Sequence, residues 1–232
     1  MTARLRVVSL VPSLTETVLG WGVVPVGVTR FCEHPELPAV GGTKNPDVDA
    51  VAALRPDVVL LDREENRLPD AEAMASAGLR LHVTHVRAVA DVAPALAELR
   101  LALGLPPEKG APLPGPPAGG RRPRVFVPIW RRPWMSISTA TYGSSLLEAA
   151  GAVNVLAGRP DNYPTVTLEE VAALAPDAVL APSEPYPFSQ RHAHLFDGVA
   201  PYVAVDGKDL FWWGARTPAA LARLRAVVAA LP

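Results

Sequence analysis

Short apolar runs alternate with amphipathic stretches along this chain. Runs of strand length fall at 6–10, 24–28, 57–61 and 79–83, then again at 124–128, 177–181 and 202–205. Helical stretches lie between them. The first spans 13–20, where Ser13-Leu14-Thr15-Glu16 reads as a capping box. A second begins near Pro46-Asp47 and a third covers 70–77. A fourth is capped by Asp91 and reaches Leu103, with Val92, Leu96, Leu99 and Leu103 on one stripe. Later helices are predicted at 141–150, closed by Gly151, at 168–174 behind Thr167, and at 218–230. Strands alternating with helices predict an α/β fold whose parallel sheets are flanked by helices.

One pattern is written twice. Residues 51–60 read VAALRPDVVL and residues 171–180 read VAALAPDAVL, with eight of ten positions identical and an offset of 120. Each copy is a helix end, a Pro-Asp turn and a buried strand, because proline cannot continue a helix and pushes its predecessor towards extended backbone. A unit repeated at half the chain length predicts two similar lobes enclosing a ligand cleft. Residues 105–123 hold seven prolines and four glycines in nineteen positions, which leaves no room for regular structure. The expected organisation is therefore a lobe over 1–104, a linker over 105–123 and a lobe over 124–232.

Composition narrows the function. Hydrophobic content of 49% with 19% charged residues excludes a disordered chain, and a formal charge of −1 offers no footprint for nucleic acid. The doublets Arg121-Arg122 and Arg131-Arg132 read as solvated loop charge. A single cysteine, Cys32, allows no internal disulfide. No run approaches a membrane span, and the start of the sequence as given has no export-signal pattern, so a soluble chain that is cytoplasmic as written is expected.

The candidate chemistry lies in loops that leave the carboxyl ends of strands, where open α/β sheets place ligand contacts. Phe31, Trp130, Trp134, Tyr186, Phe188, Trp212 and Trp213 all fall there, among Arg, Pro and Gly. Aromatics on such loops suit a large, flat, partly apolar ligand. The competing reading is that they fold back and plug the ends of the lobes. Arg30, Arg63 and Arg216 are candidates for polar or anionic ligand edges. Four metal ligands at a recognisable spacing are absent, although His34, His85 and His192 could serve a free-metal binder. Glu16, Cys32 and Glu65 would be the residues to suspect in an enzyme on the same scaffold. No nucleophile and base can be paired from the sequence, so Cys32 reads as a packing residue and no enzyme is expected.

The motifs Arg6-Val-Val-Ser-Leu-Val-Pro-Ser-Leu-Thr-Glu-Thr17, Pro25-Val-Gly-Val-Thr29 and the repeated Ala-Leu-x-Pro-Asp-x-Val resemble the class III substrate-binding proteins of ABC importers. Val28-Thr-Arg-Phe-Cys-Glu-His-Pro35 and Trp212-Trp-Gly-Ala-Arg-Thr-Pro218 are most similar to the cobalamin-binding branch. The resemblance implies a solute-binding protein for cobalamin or another metal chelate, such as a ferric siderophore or haem, with no cofactor of its own. It implies corrin contacts from Phe31, Trp212 and either Trp134 or Met135. It also implies docking onto an ABC permease dimer through Asp49 and Glu169, which are themselves 120 apart, and a periplasmic or cell-surface location. The long helix that bridges the lobes in that family has no counterpart in this sequence, which predicts looser lobe closure.

Overall fold

The computed structural model describes residues 5–107 and 113–231. They form two compact units. The first takes in the chain up to Val86, the stretch from Val92 to the end of the fourth helix, and Trp213–Ala215. The second takes in Arg87–Asp91, the elements from the seventh strand to Trp212, and the chain from Arg216 onward.

In the first unit the order is β1 (Val7–Ser9), α1 (Pro12–Gly20), β2 (Gly27–Val28), β3 (Gly41–Gly42), β4 (Asn45–Pro46), α2 (Val48–Ala53), β5 (Val58–Asp62), α3 (Leu68–Ser76), β6 (Leu81–Thr84) and α4 (Val89–Ala102), the last beginning in the second unit's share of the chain. β2-β1-β5-β6 form a parallel sheet, while β3 and β4 form an antiparallel hairpin. The second unit holds β7 (Arg124–Phe126), β8 (Trp130–Arg131), β9 (Trp134–Met135), α5 (Tyr142–Ala150), β10 (Val153–Asn154), β11 (Thr165–Val166), α6 (Leu168–Ala173), β12 (Ala178–Pro182), a 3-10 helix at Gln190–Phe196, β13 (Tyr202–Val205), α7 (Gly207–Phe211) and α8 (Thr217–Ala229). Its parallel sheet runs β10-β7-β12-β13, the same order as the first in repeat-equivalent strands. A small antiparallel sheet, β11-β9-β8, is added to it.

The repeat accounts for this likeness. α2 and α6, like β5 and β12, are 120 residues apart, and both central strands are buried at all five positions. Strands covered on both faces must be apolar throughout. Val51, Val59 and Leu61 join the first core, and their counterparts Val171, Val179 and Ala181 join the second.

The Pro-Asp turn has a mechanical role. Asp57 Oδ2 accepts from Arg6 N (2.7 Å), and Arg6 Nη2 donates to Leu54 O (2.7 Å) at the end of α2. Asp177 Oδ2 accepts from Arg124 N (2.7 Å), and Arg124 Nη2 donates to Leu174 O (2.9 Å) at the end of α6. Each clamp ties a first strand to a helix end whose carbonyls lack intrahelical donors. Arg55 (φ 45°) and Ala175 (φ 47°), one of the two mismatches in the repeat, are the left-handed residues that let the chain leave each helix. Asp57→Ala and Asp177→Ala should each lower stability by about 0.5–1.5 kcal/mol, the net worth of a hydrogen bond whose donor water can reach. Urea unfolding of the two variants measures this, and an unchanged midpoint would refute the clamp.

Several sequence expectations are corrected. Ser13-Leu14-Thr15-Glu16 is not a capping box, because α1 starts at Pro12 behind extended Val11, with no side-chain cap. Proline is pre-organised for that first helical position, which leaves Ser13 and Glu16 inside the helix. Thr15 instead donates to Ser9 Oγ (2.8 Å) and Val11 O (3.1 Å), tying α1 to β1. Asp91 is the third residue of α4 rather than its cap, and reaches back to accept from Arg87 N and Ala88 N. The run at 24–28 pairs only at Gly27–Val28. Thr167 and Gly151 cap their helices as expected, and Thr141, expected as the first residue of its helix, is its N-cap. In the linker, residues 105–107 and 113–123 carry no helix or strand, and the remainder lies outside the described residues.

Candidate ligand-binding site

In the first unit the segment after β2 turns sharply and presents Arg30 and Phe31. Phe31 is 54% exposed, and the Arg30 guanidinium lies 5.0 Å from its ring centroid. Both rest on Gly42 of the β3–β4 hairpin. A methyl group there would meet Asn45 Oδ1 at 2.5 Å, Phe31 Cε2 at 3.0 Å and Arg30 Nη2 at 3.2 Å, so glycine is what lets the three side chains approach the hairpin. Cys32 anchors the turn from beneath: its Sγ donates to Thr15 Oγ1 (3.3 Å) and lies 3.5 Å from Thr29 Oγ1. Those hydroxyls are its hydrogen-bonding neighbours among the described residues.

The loops at the carboxyl end of this sheet converge on Asn66, which donates to Leu10 O (3.2 Å) and Thr43 O (2.9 Å) and accepts from Asp62 N (2.9 Å). Asp62 is buried beside it and accepts from Thr84 Oγ1 (2.7 Å) and Glu64 N (2.9 Å). Burial pushes its carboxyl above the usual range, against the opposing pull of those hydrogen bonds. Neither Asn66 nor Asp62 stands out in the sequence, because the partners that fix them to the rest of the unit, Leu10, Thr43 and Thr84, lie 22 to 56 residues away.

In the second unit an aromatic cluster occupies the matching end. Trp130 is 47% exposed and meets Tyr186 edge-on at 5.7 Å. Tyr186 packs at 4.6 Å on Phe188, and Trp134 stacks on Phe188 at 6.2 Å with 9° between planes. Phe188, only 5% exposed, belongs to the core. It supports the faces of Trp134 and Tyr186 from behind. Met135, paired with Thr165 and Trp130 across the small sheet, is half-buried. His192 is wedged against Tyr186 and Phe188, and its Nδ1 accepts from Ser189 N (3.1 Å). Burial, then Arg191 and Arg131, lower its pKa.

Trp212 follows α7, between two cations: Lys208 Nζ is 4.8 Å and Arg216 Cζ 5.7 Å from its ring centroid. Arg216 is held by Asp209 (3.0 Å), which also takes a bidentate pair from Arg223 at 2.5 and 2.7 Å. Arg223 is the main cause holding the Asp209 carboxyl below its ordinary range. Trp213 is 5% exposed and groups with the first unit, where the next residues, Gly214 and Ala215, pack on α1. Ala215 N donates to Thr17 Oγ1 (3.2 Å).

Arg63 is exposed at the end of β5. His34 pairs with Glu36 at 3.0 Å, and His85 lies 3.7 Å from Glu64. Among the described residues, no three or more His, Cys, Asp or Glu side chains are grouped to hold a metal ion, and no helix is long and apolar enough to cross a membrane. Asp49 and Glu169 are exposed in the first turns of α2 and α6. The capping is done by Asp47 on α2, and by Thr167 with Glu170 on α6.

Residues 7–97 match the family model described as periplasmic binding protein. The solved periplasmic vitamin B12 binding protein BtuF of Vibrio cholerae superposes with a TM-score of 0.75 at 16% identity, over 97% of this chain and 96% of that one. The chain has the class III substrate-binding-protein fold. The periplasmic heme-binding protein RhuT from Roseiflexus sp. RS-1 gives a TM-score of 0.77 at 19% identity, over 97% and 98% of the two chains. Among curated relatives, the vitamin B12-binding protein of Salmonella typhimurium is 26% identical over 190 residues, spanning 75% of this chain and 71% of its own. Both of these solved neighbours are described as periplasmic.

Proposed function

We propose that this chain is a solute-binding protein for an ABC importer, and that it holds a large, flat metal chelate by aromatic stacking, a corrinoid before a haem or siderophore. The observation that carries this is Trp130, a large aromatic left half exposed on a packed aromatic base at the ligand-loop end of its sheet. Trp212, in the same unit, offers a further face. Vitamin B12-binding relatives support the corrinoid preference. Binding, with no turnover, is the activity assigned. Asp49 and Glu169 are exposed in the first turns of repeat-equivalent helices, which supports their use as contacts for a two-fold permease partner on the outer side of the membrane.

Trp130→Ala should weaken cyanocobalamin binding by about thirtyfold, the scale of losing one desolvated aromatic anchor. Fluorescence titration of the variant measures it. Unchanged affinity with an intact fold would remove Trp130, and with it the main support for this reading.

A further inference from the structure

The 3-10 helix at Gln190–Phe196 sets one titratable ring against the base of the second unit's aromatic face. His192 is 5% exposed and meets Tyr186 and Phe188 at 5.7 Å each, both edge-on. Tyr186 is also the ring that Trp130 meets, and Phe188 packs on it at 4.6 Å. The imidazole therefore closes one of three sides of Tyr186. Its polar anchor is Ser189, whose backbone N donates to Nδ1 (3.1 Å), with Ser189 Oγ 3.4 Å away.

That anchor holds only while Nδ1 keeps its lone pair. A protonated imidazole is a donor at both nitrogens, so charge on the ring would set N–H against N–H at Ser189. The surroundings give such a charge little relief. Arg191 and His194 on the helix and Arg131 on β8 are the titratable groups that act on it, and none of them is acidic. Tyr186 and Phe188 bring no negative charge. The one group that favours the charged form is the Ser189 main chain, whose carbonyl already accepts from His192 N (2.8 Å). A charged ring would have to turn from the Ser189 N–H towards that oxygen, and so leave its place against Tyr186. Among the described residues no group of His, Cys, Asp and Glu that could hold a metal ion includes it, which leaves protonation as the chemistry open to this ring.

Resting on the solute-binding reading above, we infer that His192 is an acid-sensitive wedge. Neutral, it holds Tyr186 against Trp130 and the ligand binds; protonated, it gives up Ser189 N and the ligand is released. Binding and protonation then oppose each other, and each weakens the other by the same factor. The ring is harder to charge here than in solution, so affinity is full above about pH 6.5 and falls below it.

Tryptophan-fluorescence titration of the full chain with cyanocobalamin, whose own charge is constant over this range, reads the wedge at about pH 8 and about pH 5. The parent should bind about tenfold more weakly at the lower value, the result of about one unit of linked pKa shift. His192→Gln should show one affinity at both values, while His194→Gln, an exposed position on the same helix, should keep the parent's loss. Proton NMR of the His192 imidazole reads the same linkage without a substitution, since its titration midpoint should move to lower pH when cyanocobalamin is added. Equal parent affinity at the two values, a loss retained in His192→Gln, or a midpoint unmoved by ligand would overturn this inference and leave the solute-binding reading standing. Failure of cyanocobalamin to bind at either value would overturn both.

Discussion

Asp209→Ala should be the most damaging polar substitution in the second unit, lowering stability by about 2–3 kcal/mol. The carboxylate is 4% exposed and gathers Arg223 from α8 and Arg216 from its start. Removing one partner of a buried pair costs about 3–5 kcal/mol, reduced here because the Arg223 side chain is 55% exposed and can rehydrate. Arg216 would also lose the anchor that holds it over Trp212, so ligand affinity should fall in parallel. The pH dependence has a definite sign. The carboxyl is harder to protonate in the folded chain than in the unfolded one. Its stabilisation is therefore full above the unfolded value of about 3.9, and is lost as pH falls through the lower folded value. Urea unfolding should show a constant gap between the parent and Asp209→Asn from pH 7 to 5 and a narrowing gap below about pH 4. A gap that widens on acidification would contradict the assignment.

Gly207→Ala should cost about 2–3 kcal/mol, by forcing backbone apart where no side chain can yield. A methyl group on Gly207 would lie 2.5 Å from Glu184 N and 2.7 Å from Glu184 O. Gly207 N also donates to Ser183 Oγ (3.0 Å), locking the start of α7 to the loop after β12. One of these segments carries Trp212 and the other Tyr186, so the variant should lose ligand affinity as well as stability. Gly158→Ala is the control, because nothing lies within 4 Å of its added carbon. Thermal unfolding of the two variants separates close approach from a general intolerance of alanine, and equal midpoints would refute the packing claim.

The repeat made most of the architecture legible. Its period fixed which strands are central, and the Pro-Asp turn marked where each helix must stop. The small sheet β11-β9-β8 was not legible, since two-residue strands carry no periodicity. The Ser13 box failed because Pro12 competes for the same helix start and sets it earlier. Within the site, sequence could say that aromatics follow strands, yet loop position alone does not separate a presented ring from a plug. Burial divides them: Trp130 and Phe31 stand out, while Phe188 and Trp213 pack inward. Lys208 and Asp209 were missed because their partners at Trp212, Arg216 and Arg223 converge only through the α7–α8 turn.

The most direct measurement is a calorimetric titration of the purified chain with cyanocobalamin and, separately, with iron protoporphyrin. Saturable one-to-one binding of at least one chelate at micromolar protein, weakened in Trp212→Ala and Trp130→Ala, is the predicted result. No saturable heat with either would contradict a chelate-binding function and leave the fold without its proposed ligand class.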